Sequence, residues 1–301
     1  MRKAYALLFT ALPFLLGCPD LSQVRQLGQT ADAGKSSLDA IASDFQGSCD
    51  RQNGYVQLPP GNVAPPPPPC DPQTAEDYRK LGGNLTKEQG VLIAYFDALS
   101  KLAGTSASGF DRMAPDLNTS FQNAGFNSTQ QEMAKAGGTI AAAITNLATS
   151  GYREKKLSEI LTQTNDAVQK ATTAMANLID PDPEPKTGGG QNMGSYMGIL
   201  LNEDEQIRSY FDVPLKKEGT MTVLGSLFNL KYQEALQAQN KRKEAARAYR
   251  KYMLALGAAH DKLALSAGKF AVEDVKKLSK ELAQPVSDLS TAVKTLQNDA
   301  R

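Results

Sequence analysis

Apolar residues spaced three and four apart over most of the chain, with no run of alternating apolar and polar residues, restrict this sequence to helices. Leu21, Val24, Leu27, Leu38, Ile41, Phe45 and Cys49 keep that spacing and predict a first helix from Asp20 to Ser48. Thr74 with Asp77 marks a second helix start, and Thr86 with Gln89 forms a capping box. Val91, Leu92, Tyr95, Phe96, Leu99 and Leu102 then share one face, Gly104 supplies a stop, and Gly82-Gly83 reads as a break.

The Ser/Gly/Asn-rich stretch 104–127 has room for one short helix carrying Phe110, Met113, Leu117 and Phe121. From Ser128, with Gln131 at the box position, the coiled-coil rhythm is strongest. It passes through Ile140 and Ile144, then Leu157, Leu161, Thr164, Val168, Ala171, Met175 and Leu178. An unbroken helix over 128–179 would be roughly 78 Å long, with Gly151 a possible interruption.

Three alternating prolines and Gly188-Gly189-Gly190 make 180–190 a linker, since proline removes helical hydrogen bonds. In 191–220, Pro214 is the expected stop. A long helix over 220–256 follows, its middle from Gln237 to Arg247 polar enough to read as a solvated rod. A last helix over 258–299 carries Leu263, Phe270, Val275, Leu278, Leu282, Val286, Leu289, Val293 and Leu296, with a kink at Pro285. The expected architecture is all-α: an elongated antiparallel bundle of four or five long helices with a Pro-rich loop at 50–73.

Charge and composition narrow the function classes. Thirty-three basic against 32 acidic residues leave no field for nucleic acid, so none is expected as a partner. One histidine and three cysteines supply little for a metal centre or a histidine-based catalytic site. We therefore expect no catalytic residues, no cofactor, no metal and no enzyme.

Weaker patterns have bland readings. His260 falls on the apolar seam set by Met253, Leu256 and Leu263, where a packed core histidine is the expectation. Gly188 to Ser195 lacks the lysine and the preceding strand of a phosphate loop. Glu203, Asp204 and Glu205 read as a solvated helix start. Lys241, Arg242, Lys243, Arg247, Tyr249, Arg250, Lys251 and Tyr252 form a basic-aromatic stripe. Its two readings are a solvated face and an interaction stripe for lipid headgroups, anionic glycan or a partner helix.

The first eighteen residues bear on address. Arg2 and Lys3 precede an uncharged apolar run, Ala4 to Gly17, too short for a spanning helix. It ends Leu15-Leu16-Gly17-Cys18, which resembles the lipobox of bacterial lipoproteins. The resemblance covers only this segment. It implies a signal peptide over 1–17 cut between Gly17 and Cys18, a diacylglyceryl thioether on Cys18 and an acylated new N-terminus. Two or three acyl chains hold a protein at a membrane where one holds it marginally. The mature chain, 18–301, is then expected as one helical domain in the bacterial cell envelope, on the periplasmic side, outer membrane favoured over inner.

In that oxidising compartment Cys49 and Cys70 are an even pair for a disulfide. Free thiols, or a metal site completed by carboxylates, are the alternatives. Poly-proline between them is extended without internal hydrogen bonds, a spacer or a ligand for an aromatic groove.

Two functions remain. The first is a lipid-anchored structural or protein-interaction module with an envelope protein partner. The second is a periplasmic carrier for an apolar small ligand, which predicts a pocket of roughly 300 Å³ or more lined by 105–126 and 191–230.

Overall fold

The computed structural model describes residues 22–55, 70–103, 135, 138–140, 153–181, 195–266 and 272–299. The Leu15–Cys18 motif, most of the Pro-rich loop, the segment around Phe110, the Ser128 helix start, Gly151 and the glycines of the linker lie outside them.

The fold is all-α. Eight helices and no strand occur among the described residues: α1 (Ser22–Ala33), α2 (Lys35–Gln46), α3 (Ser48–Gly54), α4 (Pro72–Ala103), α5 (Arg153–Ile179), α6 (Tyr196–Glu218), α7 (Val223–Leu265) and α8 (Val272–Asp299).

The predicted first helix is three helices, parted at Gly34 and Gly47. Its apolar spacing is correct, and Val24, Leu27, Leu38, Ile41, Phe45 and Cys49 are all buried. The Pro-rich loop is shorter than predicted, because α3 reaches Gly54 and α4 already begins at Pro72. Asp71 caps α4, its carboxylate accepting from the Thr74 amide at 2.7 Å, and Pro72 occupies the first turn, where its missing N–H costs nothing.

The start expected at Thr74 lies in the first turn of α4, two residues past Pro72, whereas Thr86 is not a start. Thr86 donates back to the Gly82 carbonyl at 3.0 Å, while Gln89 reaches across to Tyr249. Gly82 and Gly83 do not break the helix. Gly82 is there for packing: a Cβ would sit 2.8 Å from the Ala42 carbonyl oxygen of α2. Losing a side chain costs about 1 kcal/mol of helix propensity, which the close approach of α2 offsets.

The helix predicted over 220–256 continues to Leu265. Gly257 is again a point of approach rather than a stop, since a Cβ would meet Thr172 Oγ1 of α5 at 2.5 Å. Pro214 lies inside α6, which runs one more turn to Glu218 and ends at Gly219, whose φ of 68° favours glycine. Pro285 likewise lies inside α8.

α7 organises the rest. Its 43 residues rise about 65 Å, and it packs on α5, α8 and α6, while α4 packs on α1 and α2. The buried stripe of α5 is Leu157, Leu161, Thr164, Val168, Ala171 and Met175, in the predicted register. Leu278, Leu282, Leu289 and Val293 bury the matching face of α8. Among the described residues, no helix is long and apolar enough to cross a membrane.

Candidate functional site

The two halves of α7 live in different surroundings. From Gln239 onward it is core, with Ala245, Ala246, Tyr249, Tyr252, Met253 and Leu256 buried. The stretch Gln237 to Arg247 is therefore not a solvated rod. Gln239 is buried and donates to the Leu200 carbonyl at 2.7 Å, and Lys243 pairs with Asp204 at 2.5 Å. Before Gln239, only Gly225 is buried, and this distal half packs against α6 as a helical hairpin closed by the turn 219–222.

The hairpin ends in apolar side chains facing water. Met221 is 100 % and Val223 92 % exposed, and Val213, Leu224, Leu227 and Leu230 are about half exposed or more. Contiguous exposed apolar surface marks interaction sites more often than chance. Thr222 shapes the turn, its hydroxyl accepting from the Gly225 amide at 2.9 Å to cap α7.

Beside this tip lies an open cleft of about 690 Å³, lined by Tyr55 just past α3, Tyr210 and Phe211 of α6, and Leu227, Phe228 and Lys231 of α7. Its rings support one another edge-on: Tyr55 and Tyr210 centroids are 5.8 Å apart, Tyr210 and Phe211 5.0 Å. Partial burial raises the Tyr55 phenol above its ordinary pKa, so the hydroxyl stays protonated.

An ion network fixes the root of the hairpin. Arg51 of α3 donates from Nε and Nη2 to the two oxygens of Glu203 on α6, each at 3.2 Å. It also donates to Asp44 of α2 at 3.2 Å, and Asp44 further accepts from Arg242 at 3.4 Å and from the Tyr196 hydroxyl. Glu203 is buried, and burial lifts its carboxyl above the usual range against the pull of Arg51. Burial alone would lower Arg51, but Asp44 and Glu203 together hold it above its ordinary value. The acidic triplet is thus not a solvated helix start: Glu203 is buried, Asp204 is paired with Lys243, and only Glu205 faces water.

The expected basic-aromatic stripe does not form one surface. Tyr249, Tyr252 and Lys243 are buried, Arg242 turns toward Asp44, and Arg247 and Lys251 are exposed. Lys241 lines the cleft, and Arg250 is half-buried. A helical repeat of 3.6 residues spreads eight nearly consecutive positions around the whole helix, which is why the run divides.

Cys49 and Cys70 lie at disulfide distance, their Cα atoms 5.4 Å apart. Asn53 brackets the junction, donating to the Cys70 carbonyl at 3.0 Å and accepting its amide at 3.1 Å. Among the described residues, no three His, Cys, Asp or Glu side chains converge as metal ligands.

His260 is buried, as its seam position implied. It meets Tyr95 Oη at 2.7 Å and Asn165 Oδ1 at 3.1 Å, and burial lowers its pKa to about 3. No family model matches the chain, and neither a curated protein nor a solved structure is detectably similar to it.

Proposed function

We propose that this chain is a lipid-anchored cell-envelope protein whose helices form an elongated antiparallel bundle and present the distal hairpin to a protein partner on the periplasmic side. The observation that carries the reading is the exposed apolar hairpin end, Met221, Val223, Leu224, Leu227 and Leu230, remote from the start of α1. The start of α1 lies beside the far end of α7: Ser100 donates to the Arg25 carbonyl at 3.0 Å, and its α4 neighbour Tyr95 meets His260. Val223 is then about 55 Å of helical rise from His260. An acyl group on Cys18, four residues before α1, would hold one end and leave the hairpin reaching away.

Metabolic labelling with a palmitate analogue tests the anchor. Label on the wild-type chain, lost in Cys18→Ser, supports it. An unlabelled chain that retains Met1 overturns it. Crosslinking in the producing cell followed by mass spectrometry then names the partner.

A second reading, carriage of an apolar small ligand, is favoured by the cleft of about 690 Å³, because Tyr210, Phe211, Leu227 and Phe228 fall in a segment expected to line such a pocket. Titration with an anilinonaphthalene dye tests it. Saturable binding abolished by Tyr210→Asp supports carriage, and absence of saturable binding removes it.

A further inference from the structure

We infer that the exposed stripe of the distal hairpin is a self-association surface whose partner is the same stripe on a second copy of this chain. The inference deepens the reading of the hairpin as an interaction surface and rests on it, but it does not depend on the lipid anchor.

The first argument is spacing. Val223, Leu227 and Leu230 are separated by four and then three residues, all exposed, and the pattern ends at Glu234. Steps of four and three place side chains along a narrow seam that fits between the side chains of another helix. A membrane would require no such seam, and a small ligand would not need one about 10 Å long. The inner-facing residues Phe228, Tyr232 and Ala235 are engaged toward α6 and the cleft, Leu227 stands at the cleft's edge, and Val223 and Leu230 lie outside its lining, so the seam runs past the cleft.

The second argument is charge. Between 212 and 234 the hairpin holds three bases, Lys216, Lys217 and Lys231, and three acids, Asp212, Glu218 and Glu234. Two ion pairs close within this set: Lys216 with Asp212 at 2.6 Å and Lys231 with Glu234 at 2.7 Å. A balanced surface faces its own copy without repulsion, as a two-fold interface requires. The same balance removes the attraction a basic collar would have for anionic lipid. Two hairpins joined along their α7 seams would bury Val223, Leu227 and Leu230 of both copies against each other, cover that neither hairpin has alone. The seam is short, so the dimer is expected to be weak, with a micromolar dissociation constant.

The test uses the full chain in intact producing cells, whatever its attachment. Leu227→Cys and Leu230→Cys are oxidised with copper phenanthroline, with Thr162→Cys on the exposed face of α5 as control. Bands at twice the monomer mass at both hairpin positions and none at the control are expected. A third reporter, Val223→Cys combined with Leu227→Glu and Leu230→Glu, should lose the band at least tenfold while circular dichroism stays helical. Absence of a band at positions 227 and 230, an equal band at the control, or persistence in the charged variant overturns the proposal. A crosslink of any other mass overturns self-association while leaving the hairpin an interaction surface. Co-sedimentation of an uncrosslinked chain carrying Cys18→Ser with phosphatidylglycerol vesicles would assign the tip to lipid instead.

Discussion

Tyr95 Oη on α4 and His260 Nε2 on α7 lie 2.7 Å apart, both side chains wholly buried. The rest of the arrangement sets the direction of that bond. Asn165 donates its amide nitrogen to Asp261 at 2.7 Å, which turns its oxygen toward His260 Nδ1. Nδ1 therefore carries the proton, and Nε2 accepts from the tyrosine hydroxyl. With the tyrosine proton committed to Nε2, the Thr164 hydroxyl, 2.6 Å away, is the donor to Tyr95 Oη. Neutral imidazole is the form that this buried site holds.

The folded pKa of His260, about 3, lies below its ordinary 6.5, so between those values the unfolded chain binds more protons. The contribution is fully present above 6.5 and is lost as pH falls, by about 1.4 kcal/mol per unit. Denaturant melts of wild type and His260→Gln across that window should diverge with this slope. Parallel curves would contradict it.

Glu88 on α4 works in the opposite direction. It is buried, and its Oε1 has no hydrogen-bond partner among the described residues. Burial lifts its pKa from 4.5 to about 7, so the folded state holds the extra proton and stability falls as pH rises through that window. Glu88→Gln should be more stable than wild type at alkaline pH by about 1–3 kcal/mol and nearly equal at acid pH. Urea midpoints at both pH values check this.

Neighbouring glycines should give opposite signs. A Cβ on Gly82 meets the Ala42 carbonyl at 2.8 Å, whereas one on Gly83 meets nothing. Gly83→Ala should stabilise by about 0.5–1 kcal/mol, and Gly82→Ala should destabilise by about 1–3 kcal/mol despite its better helix propensity. Thermal melts of the pair decide it.

At the hairpin root, Arg51→Met leaves the buried Glu203 carboxylate without its partner. We expect a loss of about 3–5 kcal/mol, with much of it recovered in the double variant Arg51→Met/Glu203→Leu. A double-mutant cycle measures the coupling.

Reduction of a Cys49–Cys70 disulfide should destabilise the chain by about 3 kcal/mol on the loop-entropy account. Melts with and without dithiothreitol, against Cys49→Ser/Cys70→Ser, report it.

The helical class and the buried faces were legible because three-four spacing survives translation into packing. Leu157 through Met175 and Leu278 through Val293 lie where the spacing put them. Breaks were less legible. Gly34 parts two helices and Gly82 does not, although a Cβ at either would meet another element, Tyr252 of α7 at the first and Ala42 of α2 at the second. The candidate site was the least legible. Tyr55 follows α3, Tyr210 is on α6 and Phe228 on α7, and nothing local brings them together. Glu203 was the available signal: it shares a helical face with Tyr196, Leu200, Ile207 and Phe211, so a charge was standing on an apolar stripe. The run Gln237 to Arg247 misled because Gln239 and Lys243 are buried with partners, Leu200 and Asp204, on a different helix.

A single continuous helix that is clamped on several sides past Gln239 and braced by one neighbour before it behaves as a lever in a mount. Amide deuterium uptake should be fast along the arm and slow at the seat. The arm can swing or open without loosening the seat, so its motion need not be felt where α1 meets α4.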